Sequence, residues 1–208
     1  MKGAASVGTL AALVLAAGCR IATVRPLDEK GAPAAGAAAA SGPFEAAAFV
    51  ESIWRSEVLR ALEEASDVAT VAGGAASFAD DAARRPYSLV VRGRGRVVDV
   101  DTRSRSGTAT VALDREPHAT VVLQIGPVIT GMAIRDGLPV LGFDHFVNQI
   151  QHADVGNELN ARVEREVLER LDRSSLRGRF VRFAGMASVE EGRPLTITPV
   201  RLEVENQP

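Results

Sequence analysis

The spacing of hydrophobic and polar positions changes period several times along the chain. From Phe44 to Ala65, Val50, Ile53, Trp54, Val58, Leu59 and Leu62 recur at steps that include three and four, and Arg55, Glu57, Arg60, Glu63 and Glu64 fill much of the rest. That spacing predicts an amphipathic helix, with Trp54, the only tryptophan, packed in the core. Asp67 is placed to cap a second helix running through Ala83, although Gly73 and Gly74 each oppose it by about 1 kcal/mol. Arg84-Arg85-Pro86 closes the helical region.

From Tyr87 the residues become β-branched and partly alternating. Tyr87–Val91 and Gly95–Asp101 read as one long strand broken at its glycines, and Ser106–Leu113 and Thr120–Ile125 follow as two more. A helical stretch intervenes before Arg179–Ala184 and Leu195–Val204, again strand-like. The succession β-β-β-α-β-β is that of the OB-fold, a small, partly open five-stranded barrel. Glycines at 93, 95 and 107 suit a first strand that must bend sharply. The expected fold is therefore α+β: N-terminal helices packed on a five-stranded OB-like barrel, with one long helix inserted between strands 3 and 4. Another α+β arrangement of the same elements stays open, and the fold licenses no function by itself.

The stretch Gln124–Asn160, QIGPVITGMAIRDGLPVLGFDHFVNQIQHADVGNELN, joins the third strand to the long helix. At 100° per residue, Phe146, Ile150 and Ala153 share one face, and Val155, Leu159, Val163, Val167 and Leu171 centre on another, about 90° away. In a continuous helix His145, Gln149 and His152 would fall in line with the second stripe. Either the helix breaks between Ala153 and Gly156, or those polar groups must find partners. Glu158/Arg162, Glu166/Arg170 and Glu169/Arg173 stand four apart, acid first. Such pairs predict an exposed helix face and contribute a few tenths of a kcal/mol each, on the order of 0.3. Gly178 ends the helix and starts the next strand.

The N-terminus changes the picture more than composition does. Lys2, the apolar run Leu10–Ala17 and the small residues before Cys19 form a secretory leader, too short to span a bilayer permanently. Leu15-Ala16-Ala17-Gly18-Cys19 resembles a bacterial lipobox, so residues 1–18 are expected to be a lipoprotein signal peptide and Cys19 the lipid attachment site. Cys19 is the only cysteine, which excludes an internal disulfide. Asp28–Pro43, rich in Ala, Gly and Pro, has the composition of a linker; residues 19–43 thus read as anchor and tether. Residues 44–85 form the helical region and 86–208 the barrel with its helix, 44–208 making one folded unit. With 46% hydrophobic residues and a net charge of −2 among 208 residues, the body can bury a core and gives no global reason to expect nucleic acid. The expected partner is a membrane, reached through lipidated Cys19 from the periplasmic side.

Two groups carry possible chemistry. Arg92-Gly93-Arg94-Gly95-Arg96 would make an anion grip, but strand alternation puts the three side chains together on a solvated face. Arg135, Asp136, Asp144, His145, Asn148, Gln149 and His152 crowd an apolar context and admit three readings. A metal site lacks the i,i+4 spacing and third strong ligand that zinc on a helix prefers. An acid–base site, Arg135 and Asp136 with Asp144 and His145 acting on a sugar or phosphate ester of the envelope, needs a geometry that sequence does not supply. A buried polar network, in which Arg135, Asp136, Asn148 and Gln149 tie loop to helix, needs only hydrogen bonds. No cofactor is expected.

Gly126-Pro127-Val128-Ile129-Thr130-Gly131, Arg135-Asp136, Phe143, Phe146, Asn148-Gln149-Ile150 and Glu158-Leu159-Asn160, with the lipobox, Gly178 and the ending Thr196-Ile197-Thr198-Pro199-Val200, resemble a bacterial family of predicted periplasmic lipoproteins of unknown function. Met132 and Gly137 stand where that pattern has a small residue and an alanine. The resemblance supplies no catalytic residues. It implies an accessory, non-enzymatic role beside a sugar-type ABC transporter, with a periplasmic sugar-binding protein or permease as partner.

Overall fold

The computed structural model describes residues 44–73, 87–116, 118–190 and 193–205. The leader, Cys19, the linker and the far half of the predicted second helix, from residue 74, lie outside them.

Helix α1 (Ala46–Ile53) runs through a wider, π-type turn at Trp54–Leu59 into α2 (Arg60–Glu63). Val50, Trp54, Val58 and Leu62 are all buried. Steps of four drift about 40° each around a regular α-helix, and a turn with more residues drifts the other way. The π-type turn therefore keeps all four on the face that meets the sheet. The short strand β1 (Ser66–Asp67) and helix α3 (Val68–Gly73) follow, and Asp67 Oδ1 accepts from the Ala69 amide at 2.9 Å. That is the N-cap predicted for Asp67.

Strands β2 (Tyr87–Asp101), β3 (Thr108–Leu113) and β4 (Thr120–Gln124) precede the short helix α4 (Ala133–Asp136) and the long helix α5 (Gln149–Val163); β5 (Phe180–Val189) and β6 (Thr196–Glu205) close the chain. The sheet order is β1-β2-β3-β4-β6-β5, and β5 pairs back onto β2. Five strands thus pair around in a ring. The sheet has six strands and not the five expected, because β1 adds a parallel pairing of Ser66 with Val91 and Asp67 with Arg92. A strand of two residues has no period to read.

The first long strand is unbroken, which corrects the expected interruption at its glycines. Tyr87–Arg96 pairs with β5 and Gly95–Asp101 with β3, so Gly95 is where the strand passes from one partner to the other. A Cβ there would run into the Ala112 carbonyl oxygen. Glycine keeps the strand whole at its corner by letting two backbones approach.

Two apolar clusters lie on opposite sides of this sheet. Inside the ring, Val91, Val97, Ala109, Val111, Leu113, Val121, Leu123, Val181, Phe183 and Ile197 pack together with Val68 of α3. On the outer face, Val50, Trp54, Val58 and Leu62 meet Ile134, Val155, Leu159, Val163 and Leu168 over Ala184, Met186 and Val200. The middle of β5 is consequently covered on both faces: Phe183, Ala184, Met186 and Ala187 are all buried.

Helix α5 is continuous through Gly156, so of the two alternatives the break does not occur. Gly156 is buried where the Met132 sulfur and the Arg135 side chain approach. The conflict between stripes disappears because the helix starts at Gln149, leaving His145 in a preceding 3-10 turn (Phe143–His145). A second π-type turn, Glu164–Leu168, follows. It shifts the helical phase and changes the expected ion pairs. Arg165 pairs with Glu158 at 2.9 Å, Arg162 lies 2.9 Å from Glu166, and Arg173, beyond the helix, donates to the Ile125 and Leu168 carbonyls. Gly178, at φ +82°, reverses the chain into β5.

Candidate functional site

The junction between β4 and α5 is held by side chains outside the cluster expected from sequence. Gln124, 3% exposed, uses its whole amide. Its Nε2 donates to the Thr130 carbonyl at 3.1 Å and to Thr198 Oγ1 at 3.0 Å, while its Oε1 accepts from Thr130 N at 2.8 Å and Thr130 Oγ1 at 2.9 Å. Asn160 Nδ2 donates to the Gly131 carbonyl at 2.9 Å, and Glu164 Oε1 accepts from the Ile129 amide at 2.9 Å. These contacts fix the Gly126–Gly131 segment between strand, helix and β6. A hydrogen-bonded network thus holds the junction, built from residues other than Arg135, Asp136, Asn148 and Gln149.

The seven residues singled out from sequence lie around this junction without forming one site. Arg135 and Asp136 pair at 2.7 Å, and Arg135 Nη1 reaches the His152 carbonyl at 3.5 Å. Asn148 is the N-cap of α5, its Oδ1 accepting from Gln151 N at 2.9 Å, a local role that corrects its assignment to the buried network. Gln149 is exposed and does not tie the loop to the helix either. His145 Nδ1 is 3.5 Å from Asp144 Oδ1 on an exposed turn. His152 is the anchored member: its Nε2 lies 3.0 Å from the Leu141 carbonyl, and its ring sits 5.1 Å from Phe146 and 5.6 Å from Phe143. Among the described residues no group of three His, Cys, Asp or Glu is placed to hold a metal.

This region presents apolar side chains to solvent, interleaved with exposed Asp144, His145, Asn148 and Gln149. Val140, Phe143, Val147 and Ile150 are exposed, Phe143 by 50%, Ile150 by 72% and Val147 by 88%. Behind them Phe146 packs edge-on against Phe44 and Phe49, with centroids 6.4 and 5.8 Å apart. The ridge is rigidly founded: the 3-10 turns at Pro139–Leu141 and Phe143–His145, the Asn148 cap and the His152 contact each fix part of its backbone. Asp136, Asp144 and Asp154 stand exposed in the same stretch, giving it an acidic, polar edge.

The Arg-Gly-Arg-Gly-Arg run does lie on a solvated sheet face, with Arg92, Arg94 and Arg96 all exposed. Arg94 is its hub. It bonds Glu205 at 2.6, 2.9 and 3.0 Å, pairs with Asp114, and sits 4.8 Å over the Phe180 ring. Hydrogen bonding to Glu205 raises the Arg94 pKa and lowers that of Glu205, each against the opposing effect of desolvation.

Comparison with known proteins sets this geometry in a family. The family model described as predicted periplasmic lipoprotein, domain of unknown function 2291, matches residues 9–203. The chain belongs to that family. Membership puts it on the periplasmic side of a bacterial membrane as a lipoprotein, the location that the lipobox predicts; Cys19 itself lies outside the described residues. Among the described residues no helix is long and apolar enough to cross a membrane. The crystal structure of an OB-fold protein from Thermotoga maritima is similar, with a TM-score of 0.60 and 17% identity over 79% of this chain and 100% of that chain. At that identity the likeness concerns the fold. No curated protein matches.

Proposed function

We propose that this lipoprotein is a non-catalytic accessory protein that docks a partner protein through the ridge Val140, Phe143, Val147 and Ile150. The observation that carries the reading is the clustering itself: four of the five large exposed hydrophobic side chains of the described residues fall within this one stretch. Large apolar side chains exposed together in one stretch among polar ones have the composition of a protein interface. The acids at its edge, Asp136, Asp144 and Asp154, favour a partner face with a basic rim and disfavour an anionic bilayer. The partner we infer is a permease or periplasmic binding protein of a sugar-type ABC transporter.

Photo-crosslinking from position 147 in intact cells tests this. The expected product joins the lipoprotein to a transporter component and disappears on Ile150→Asp. Because Ile150 is exposed, that substitution should move stability by no more than about 0.5 kcal/mol. Crosslinks only to lipid, only to a second copy, or unchanged by Ile150→Asp would overturn the reading.

A further inference from the structure

Where the helical layer ends, the outer face of the sheet carries arginines in rows. Arg92 of β2, Ala184 of β5 and Arg201 of β6 stand in one row, and Arg94, Arg182 and Glu203 in the next. Both rows line a cleft of about 650 Å³ that Leu62, Val68 and Leu113 also border. Most guanidinium groups of this face are engaged within the protein. Arg94 is held by Glu205 and Asp114, Arg182 by Glu205 at 3.2 Å, and Arg96 by the Gly178 carbonyl at 3.1 Å. Arg92 and Arg201 are different: neither has an ion pair or side-chain hydrogen bond among the described residues.

We propose that Arg92 and Arg201 together bind a small molecule through a phosphate-type oxyanion. Neighbouring strands are about 4.8 Å apart, so the two Cα atoms stand about 10 Å apart across Ala184. Ala184, small and itself buried, adds no long side chain to the cleft that all three residues line. Each guanidinium presents a planar fork of donors matched to two oxygens of an oxyanion, and two cations beside an apolar wall are relieved of their repulsion by a dianion between them. Glu63 and Glu203 line the same cleft. They repel an extended polyanion such as a nucleic acid, and accept hydrogen bonds from hydroxyl groups of a compact ligand. A soluble phosphate ester and a phospholipid headgroup share this chemistry.

The lipidated protein in neutral detergent micelles, titrated calorimetrically at low salt, separates the two sources. One arm uses inorganic phosphate and the other micelles doped with phosphatidic acid, whose headgroup is a phosphate monoester. Binding in at least one arm is expected, weakened about tenfold or more by Arg92→Gln combined with Arg201→Gln, as two charge-assisted contacts imply. Saturation by phosphate alone assigns the site to soluble esters, and response only to doped micelles assigns it to headgroups. Arg96→Gln, on the same face but engaged by Gly178, should bind as the unsubstituted protein does. No heat in either arm, or binding indifferent to the double substitution, overturns the proposal. An unchanged melting temperature of the double variant, expected for two exposed and unpartnered side chains, shows that lost binding is not lost folding.

Discussion

At the scale of single residues, Gln124 and Glu205 illustrate two ways in which a polar side chain holds this fold. Gln124 is buried and all four of its hydrogen bonds stay inside the protein. Gln124→Ala would leave the buried Thr198 hydroxyl without this partner and turn the amide and hydroxyl of Thr130, an exposed residue, toward water. An unmade buried hydrogen bond costs about 1–3 kcal/mol, more than a made one contributes, so the expected loss is about 2 kcal/mol, read from the urea midpoint. A loss below about 1 kcal/mol would show that water replaces the amide. Glu205 works through charge. Hydrogen bonds from Arg94, the largest influence, hold its carboxyl below the ordinary 4.5, with the nearby charges of Arg94 and Arg182 acting in the same direction. The folded protein therefore binds fewer protons there than the unfolded chain, and the associated stability is fully present above about pH 4.5 and lost as pH falls through the depressed value. Glu205→Gln should lower stability near neutral pH and narrow its gap to the unsubstituted protein in acid. A gap independent of pH would show that Glu205 matters by packing alone. Asp101, held at about 2 by hydrogen bonds from Arg103, adds a loss of the same sign as pH falls from about 3.8 through that value.

At the scale of elements, the junction after β4 depends on two glycines for different reasons. Gly131 has φ +80° with open space where a Cβ would stand, whereas a Cβ on Gly126 would collide with backbone atoms of residues 105–107. Gly131→Ala should cost about 1 kcal/mol of conformational strain. Gly126→Ala should cost more, because two backbone segments must separate. Thermal unfolding of both variants gives the order, and equal losses would sink the distinction. These positions also show what is legible in the sequence. The helix at 46–63, the Asp67 cap, strands β3 and β4 and the succession of strands can be read because their apolar spacing faces one core. Strand β5 runs past the expected end at Ala184 because Ala184, Gly185, Met186 and Ala187 do not alternate, being sandwiched between ring interior and helices; a Cβ on Gly185 would meet the Thr198 carbonyl. For the polar network, proximity in sequence points to Arg135, Asp136, Asn148 and Gln149. It is built instead by Gln124 with Thr130 and Thr198 and by Asn160 with the Gly131 carbonyl, and Thr198 arrives only when β6 closes beside β4. The apolar ridge is not legible because exposure of Phe143, Val147 and Ile150 is a tertiary property; their one sequence signal is that Ile150 stands off the main stripe of α5.

At the scale of the whole molecule, the ridge and the anchor belong to one argument about concentration. Phe44, the first described residue, packs against Phe49 and Phe146, so the chain coming from Cys19 joins the body beside the ridge. The linker expected from composition at residues 28–43, which lie outside the described residues, would average about 20 Å end to end and reach about 50 Å at full stretch. A body held within that range of the membrane meets a membrane-bound partner at an effective concentration of order millimolar, and an interface too weak to hold a freely diffusing pair is then sufficient. Replacing residues 1–19 by a leader cleaved ahead of Arg20 should leave the body folded in the soluble periplasmic fraction. It should also sharply reduce crosslinking from position 147, and overproduction of the unanchored form should restore it. Crosslinking that persists at ordinary expression would mean that the ridge binds tightly enough without a tether. A cysteine-less form that stays with membranes through a carbonate wash would show instead that the lipid on Cys19 is not what holds this protein at the bilayer.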